Sequence, residues 1–174
     1  MRDGRTVGRI LLLAALLSTG PAVRLSAQED EAGIALGSTP PPVTIMDLDG
    51  KPVDLATVGG KQPLLIEFWA TWCPICRALE PRLLAAHTRY GQRVRFLAIA
   101  VAVNETPASV RRHLAEHPMP YPYLWDVNGN AVRAFQAPTT SYVVVLNAEG
   151  KVVYTGVGSD QDLDAALARV APLN

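Results

Sequence analysis

The stretch Leu64–Cys76, with the sequence LLIEFWATWCPIC, joins a short apolar run to a pair of cysteines. The run Leu64–Trp69 is interrupted only by Glu67, and a run of this length is typical of a strand buried on both faces of a sheet. The two cysteines follow at once, three positions apart, with Pro74 directly after the first. Because proline is favoured in the first turn of a helix, the stretch predicts a strand that leads into a helix beginning next to Cys73.

The two cysteines have the spacing of a redox-active pair. A cysteine at a helix N-terminus lies beside free N–H groups and the positive end of the helix dipole, and both favour its thiolate. Cys76 follows one turn further into the helix, where a second thiol can attack a disulfide formed at the first. The spacing therefore predicts dithiol–disulfide exchange, with Cys73 as the nucleophile and Cys76 as the more buried resolving thiol.

The same C-x-x-C spacing occurs in zinc sites and in structural disulfides. The chain has only two cysteines, and His87, His113 and His117 do not form a second ligand pair at the spacing of a zinc finger. His113 and His117, four positions apart, are predicted to be polar residues on an exposed helix. A structural bridge that closes so small a loop constrains the unfolded chain little. We therefore predict redox catalysis and no metal site.

Three segments, in the right order, carry a resemblance to a known family. Phe68–Cys76 resembles the active-site segment of thioredoxin-fold proteins, and Ala137–Thr140, which precedes an apolar run, resembles their cis-proline segment. Ile45–Leu55 resembles the N-terminal hairpin of the TlpA/ResA/DsbE-like branch of that fold. The resemblance extends over residues 39–171.

This resemblance implies a thioredoxin-like α/β fold with three α/β/α layers, a mixed central sheet, an N-terminal β-hairpin and an inserted helix/strand segment. It also implies an exported bacterial thiol–disulfide oxidoreductase, of a kind that often reduces apocytochrome c or other cysteine-containing partners. Many members of the branch have proline directly before the second cysteine, whereas here Pro74 directly follows the first. Because the dipeptide between the cysteines tunes the reduction potential, the direction of the reaction stays open, with reductant favoured.

The resemblance also assigns roles to residues around the cysteines. Glu67 stands six residues before Cys73, where thioredoxins keep a buried acid, and we expect it to accept the proton that Cys76 loses. Pro138 is expected to be the cis-proline, which would place the Ala137 backbone beside Cys73. The residues predicted to bind the partner are Trp72, Pro74, Ala137, Pro138 and Thr139.

Two other function classes stay open on the same fold. A thiol-dependent peroxidase of the peroxiredoxin type needs Pro-x-x-x-Thr-x-x-Cys, but positions 66 and 70 are Ile and Ala. A copper carrier would need a wider cysteine spacing and a matched histidine. We expect no cofactor other than the redox-active Cys73–Cys76 disulfide.

The first residues have the pattern of an export signal. Arg2, Arg5 and Arg9 precede an apolar core, Ile10–Leu17, and the small residues of 25–27 suit a cleavage site. The core has eight residues, whereas a membrane-spanning helix needs about 20. Residues 1–27 are therefore predicted to be a cleaved signal peptide, with a retained anchor as the alternative. The predicted location is the periplasm or another space outside the cytoplasm.

The remaining chain has a mildly acidic composition. Without residues 1–27 it contains 12 basic and 15 acidic residues, a net charge of −3, which does not favour nucleic acid or an anionic membrane surface as a partner. Residues 28–38 are predicted to be a flexible linker and residues 39–174 a single domain. We expect a monomer whose partners are cysteine-containing exported proteins and a membrane thiol–disulfide reductase or oxidase that recycles the pair.

Turn and cap residues predict the remaining elements. The helix after Cys73 is expected to run to Tyr90, with Pro81 either kinking it or starting a second helix. The others are a hairpin at 43–48 and 52–55, a strand at 94–103, a helix between Thr106 and Pro118, a strand at 123–125, a helix at 132–135, a hairpin at 142–146 and 151–155, and a last helix capped by Ser159.

Overall fold

The computed structural model describes residues 33–173, so the predicted signal peptide lies outside them. In this part of the chain no helix is long and apolar enough to cross a membrane. Seven strands and five helices occur in it: β1 Thr44–Asp47, β2 Pro52–Asp54, α1 Leu55–Val58, β3 Leu64–Trp69, α2 Pro74–Tyr90, β4 Arg95–Val101, α3 Pro107–Glu116, β5 Tyr123–Asp126, α4 Asn130–Ala134, β6 Tyr142–Leu146, β7 Val152–Val157 and α5 Leu163–Ala168.

The strands form one mixed sheet in the order β2-β1-β5-β4-β3-β6-β7. β3 pairs in parallel with β4 and antiparallel with β6. In this register Glu67 stands opposite Ala98 on one side and Val143 on the other. The strand that precedes the cysteines is therefore interior to the sheet, as its apolar run predicts.

Helices cover both faces of the sheet. Successive side chains of β3 point to opposite faces, so this strand contributes to the core on each side. Leu65 and Trp69 belong to a buried cluster that also contains Cys73, Cys76 and the inward residues of α2, α3 and α5. Leu64, Ile66 and Phe68 belong to a second cluster with α1 and α4. This is the predicted three-layer α/β/α arrangement.

The helix α2 carries the cysteines and is continuous through Pro81. It begins at Pro74 with Cys73 as its N-cap, and it ends at Tyr90, where the Gly91 N–H donates to the His87 carbonyl oxygen. The predicted bounds are confirmed. The alternative in which Pro81 starts a second helix is wrong.

The last helix starts later than predicted. Asp162, not Ser159, caps α5, and its carboxylate accepts the N–H of Ala165 at 2.9 Å. The segment before it is held as a bend, because the Gln161 side-chain amide donates to the carbonyl oxygens of Ser141 and Gly158. These tertiary hydrogen bonds prevail over the local capping preference of Ser159.

The described part of the predicted flexible linker is packed against the sheet. Ile34 is 3% exposed, and its N–H donates to the Tyr142 hydroxyl at 3.1 Å. The Gly37 N–H donates to the Val152 carbonyl oxygen, and the Val152 N–H donates to the Ser38 carbonyl oxygen. One buried isoleucine and these main-chain bonds to β7 fix residues 33–38, so the linker prediction is wrong for them.

Gly33 and Gly37 provide a matched test of this packing. Both have positive φ, at +100° and +77°, but a Cβ on Gly33 would lie 2.1 Å from the Tyr142 hydroxyl oxygen, whereas none of the described atoms lies within 4 Å of a Cβ on Gly37. We expect Gly33→Ala to lower the free energy of unfolding by about 1–3 kcal/mol more than Gly37→Ala, because only the former overpacks the interior. Urea melts of the two variants measure this. Equal losses would contradict the packing of Gly33 on Tyr142.

Candidate active site

Cys73 and Cys76 form a disulfide at the N-terminus of α2, with their Cα atoms 5.3 Å apart. The Cys73 Sγ atom accepts the N–H of Cys76 at 3.0 Å, so the cysteine itself caps the helix. We predicted that Cys76 is the more buried of the two. In this oxidised form they are equally buried, at 3% and 2% exposed, because both sulfurs are covered by the same cluster of side chains.

Thr140 supplies a second donor to the nucleophile. Its Oγ1 atom lies 3.3 Å from the Cys73 Sγ atom and donates to it. The helix N-terminus, the Cys76 N–H and the Thr140 hydroxyl together favour negative charge on this sulfur. Thr139, which is predicted to bind the partner, is exposed, and its neighbour Thr140 is the residue that contacts Cys73. The sequence shows two adjacent threonines, and only the path of the chain decides which one faces Cys73.

The predicted cis-proline is not present. No cis peptide bond occurs within residues 33–173, so the Ala137–Pro138 bond is trans, which is the preferred form of most X–Pro bonds. Gln136 and Ser141, on either side of the segment, have positive φ values of 48° and 58° and turn the chain there. Pro138 is exposed. The Ala137 N–H donates to the Val132 carbonyl oxygen, which leaves the Ala137 carbonyl oxygen as the group that could bind a partner segment.

Four exposed apolar side chains in the active-site turn and the loop bonded to it form an apolar rim beside the buried disulfide. Trp72, Ile75 and Val103 are 48%, 50% and 51% exposed, and Pro74 is exposed between them. Trp72 and Pro74, which are predicted to bind the partner, are both accessible at the surface. Ile75 and Val103 were not predicted; Ile75 follows Pro74 in α2, and the Val103 carbonyl oxygen accepts the indole N–H of Trp72.

The loop after β4 holds the turn that precedes Cys73. The Trp72 Nε1–H donates to the Val103 carbonyl oxygen at 2.8 Å, and the Thr71 N–H donates to the Glu105 carboxylate. Neither contact is predicted by the local sequence pattern. Parallel strands end at the same edge of a sheet, so pairing β3 with β4 would have placed residues 103–105 next to the active-site turn.

Glu67 is buried, as predicted, on the sheet face that packs against the cysteines. It is 5% exposed and lies on the β3 face between Leu65 and Trp69, both of which belong to the cluster of Cys73 and Cys76. Burial, and next the negative charge of Glu80, raise the pKa of Glu67 to about 8. Its carboxyl group therefore changes its protonation state near neutral pH.

A small cavity of about 10 Å³ lies beside Glu67 and is also lined by Glu80, His113 and His117. The His113 side chain is 13% exposed, with its Nε2 atom 4.0 Å from Glu80 Oε1. Its ring lies 4.7 Å from that of His117 and 5.3 Å from that of Trp69. Burial and then His117 lower the pKa of His113. His117 is exposed, as predicted, but it is the C-cap of α3 rather than part of the helix. For His113 the prediction of an exposed residue is wrong, because α3 packs this face against Trp69.

Other candidate sites in the described residues bring together fewer reactive groups. Within the described residues, no group of three or more His, Cys, Asp or Glu side chains is placed to hold a metal ion. A larger cavity of about 360 Å³ borders Leu64 and residues 40–42. It adjoins the start of β3, whereas the disulfide follows the end of that strand, so this cavity is separate from the redox pair.

Comparisons with known proteins agree with this geometry. The family model named Redoxin matches residues 35–169. The thiol-disulfide oxidoreductase ResA of Geobacillus thermodenitrificans is 28% identical over 171 residues, which cover 97% of this chain and 95% of ResA.

Two solved structures show the same fold. The thioredoxin domain of a thiol-disulfide oxidoreductase from Bacteroides vulgatus has a TM-score of 0.68 at 19% identity, covering 79% of this chain and 99% of that one. A secreted Mycobacterium tuberculosis disulfide oxidoreductase, homologous to E. coli DsbE, has a TM-score of 0.61 at 26% identity. The match covers 75% of this chain and 96% of that one.

The raised pKa of Glu67 predicts a pH-dependent loss of stability. Between pH 4.5 and about 8 the unfolded chain releases this proton while the folded protein retains it. The free energy of unfolding therefore falls as the pH rises, by up to about 1.4 kcal/mol per pH unit. We expect Glu67→Gln to remove this fall and to be more stable than the wild type at pH 8. Urea melts across this range measure it.

Glu149→Gln is the control, because Glu149 is exposed in the turn after β6 and its replacement leaves the buried acid in place. It should keep the wild-type dependence on pH. If Glu67→Gln also keeps that dependence, Glu67 does not hold a proton in the folded protein at neutral pH.

Proposed function

Since this chain belongs to the Redoxin family and is a thiol–disulfide oxidoreductase, we propose that it reduces disulfides of proteins outside the cytoplasm. The observation that supports this most is the Cys73–Cys76 disulfide at the N-terminus of α2, where Cys73 Sγ accepts from the Cys76 N–H and from Thr140. The reducing direction is proposed from the resemblance to the TlpA/ResA/DsbE-like branch. The location outside the cytoplasm is proposed from the N-terminal sequence and from the secreted relative.

In the proposed cycle the reduced pair attacks a partner disulfide. The Cys73 thiolate bonds to one partner sulfur, and the other partner sulfur leaves and takes a proton. Cys76 then loses its proton, and its thiolate attacks Cys73 Sγ. The Cys73–Cys76 bond forms, the bond from Cys73 to the partner breaks, and the second partner thiol leaves. Two electrons have passed from the pair to the partner.

Glu67 is proposed to accept the Cys76 proton. Burial raises the pKa of a thiol and would by itself slow the second attack. Glu67 lies on the side of β3 that faces the cysteines, and its pKa of about 8 suits a group that exchanges a proton near neutral pH. It would return this proton to Cys76 when the disulfide is reduced again.

The apolar rim is the proposed partner-binding surface. Trp72, Pro74, Ile75 and Val103 suit a partner segment with apolar residues next to its cysteine. The Ala137 carbonyl oxygen and the exposed Pro138 and Thr139 would line its other side. The cysteines of apocytochrome c are one proposed target, following the resemblance. A membrane thiol–disulfide reductase would recycle the pair, with no cofactor other than the disulfide.

Trapping tests the two cysteine roles. If Cys73 attacks first, Cys76→Ala should accumulate mixed disulfides with exported proteins, because no thiol remains to release the partner. Cys73→Ala should accumulate none. Non-reducing gels followed by identification of the captured proteins measure this. Equal trapping by the two variants, or trapping by Cys73→Ala alone, would contradict the assignment.

Equilibration with glutathione tests whether the cysteine pair acts as a reductant or as an oxidant. Pairs on related redox proteins span roughly −270 to −120 mV, from reducing to oxidising. We expect this pair near the reducing end, and we expect it to reduce insulin faster than it oxidises a reduced, unfolded substrate. A potential near the oxidising end would assign it to disulfide formation, and the family assignment would be unaffected.

A further inference from the structure

We propose that Glu105 sets the reduction potential of the Cys73–Cys76 pair, because its fixed carboxylate disfavours the Cys73 thiolate and so makes the pair more reducing. This inference rests on the proposed function and concerns the same site. Glu105 belongs to neither the C-x-x-C motif nor the predicted set of site residues. It lies far from Cys73 in sequence, and the sheet brings it to the turn that ends at this cysteine.

The carboxylate is held directly against the active-site turn. One oxygen, Oε1, accepts the N–H of Thr71, and the Cys73 N–H closes the same turn by donating to the Ala70 carbonyl oxygen at 3.1 Å. The other oxygen, Oε2, is buried and has no hydrogen-bond partner among the described residues. Because one oxygen is hydrogen-bonded and the other is shielded from water, this carboxylate keeps its position, and water screens its electrostatic effect on the turn only weakly.

The chain around Glu105 fixes this position from both sides. The Val103 N–H donates to the Val101 carbonyl oxygen at 2.8 Å, and Asn104 follows with a φ of 55°, a left-handed conformation that asparagine tolerates. On the other side, Thr106 caps α3 in a reciprocal pair of hydrogen bonds with Ser109. Glu105 stands between a tight turn and a capped helix, so it has little freedom to move away.

The sign of the effect follows from which form each group stabilises. The helix N-terminus, the Cys76 N–H and Thr140 favour the Cys73 thiolate. Stabilising that thiolate stabilises the reduced protein and makes the pair oxidising. A nearby negative charge acts in the opposite sense. The other charged or titratable groups of this region are Glu67 on β3, Arg77 and Glu80 on α2, His113 on α3 and His117 at its C-terminus.

Glu105→Gln isolates the charge. Glutamine keeps an oxygen that can accept from Thr71, and it removes the charge whose second oxygen is buried without a partner, so the variant should fold. At a fixed glutathione ratio we expect the reduced fraction of the pair to rise, with the equilibrium constant shifted about tenfold, or about 30 mV toward a less negative potential. The pKa of Cys73, followed by the ultraviolet absorbance of its thiolate, should fall in parallel.

Two further variants separate charge from hydrogen bonding. Glu105→Asp keeps the charge but shortens the reach to Thr71, and we expect it to retain a potential close to that of the wild type. Glu116→Gln, at the exposed end of α3, should leave the potential unchanged. An unchanged potential in Glu105→Gln, or an equal shift in Glu105→Asp, would overturn the proposal. Failure of the wild type to reduce insulin would count against the proposed function instead.

Discussion

The hydrogen bond from the Cys76 N–H to Cys73 Sγ makes the nucleophile part of the helix that positions it. Helix N-caps are usually Ser, Thr, Asp or Asn, whose oxygens accept an N–H that would otherwise lack a partner. Here a cysteine sulfur takes that position. The reactive atom is therefore fixed by the same bond that begins α2, and Pro74 keeps the first turn in place without needing an N–H donor. The strand, the turn and the helix cannot move independently of the redox pair.

The sequence predicts this part of the structure well because its determinants are local. The apolar run of β3, the proline after Cys73 and the glycine after Tyr90 each act within a few residues, and the observed bounds match. Glu67 was also correctly predicted to be buried, since an acid inside a central strand cannot reach the surface. Few alternative structures fit both the length and the polarity pattern of this segment.

The contacts that tune the site were not predictable in the same way. Thr140 reaches Cys73 across 67 positions, and Glu105 reaches Thr71 across 34, so both depend on strand order and register rather than on local pattern. The packing of α3 on the sheet covers His113, although the sequence of α3 predicts that this residue is exposed. The trans bond before Pro138 shows that local sequence can also mislead, because a familiar motif does not by itself determine the conformation of the backbone around it.

Both edges of the sheet restrict how another chain can bind. β2, the outermost strand on one side, is three residues long and begins with Pro52, which has no N–H to donate. On the other side, Gly37 and Ser38 already occupy the main-chain groups of Val152 at the start of β7. An added strand would find few free partners at either of these places. Association by strand addition is thereby disfavoured at these two places, whereas the exposed apolar side chains of Trp72 and Ile75 beside the cysteines offer a contact that needs no free strand edge.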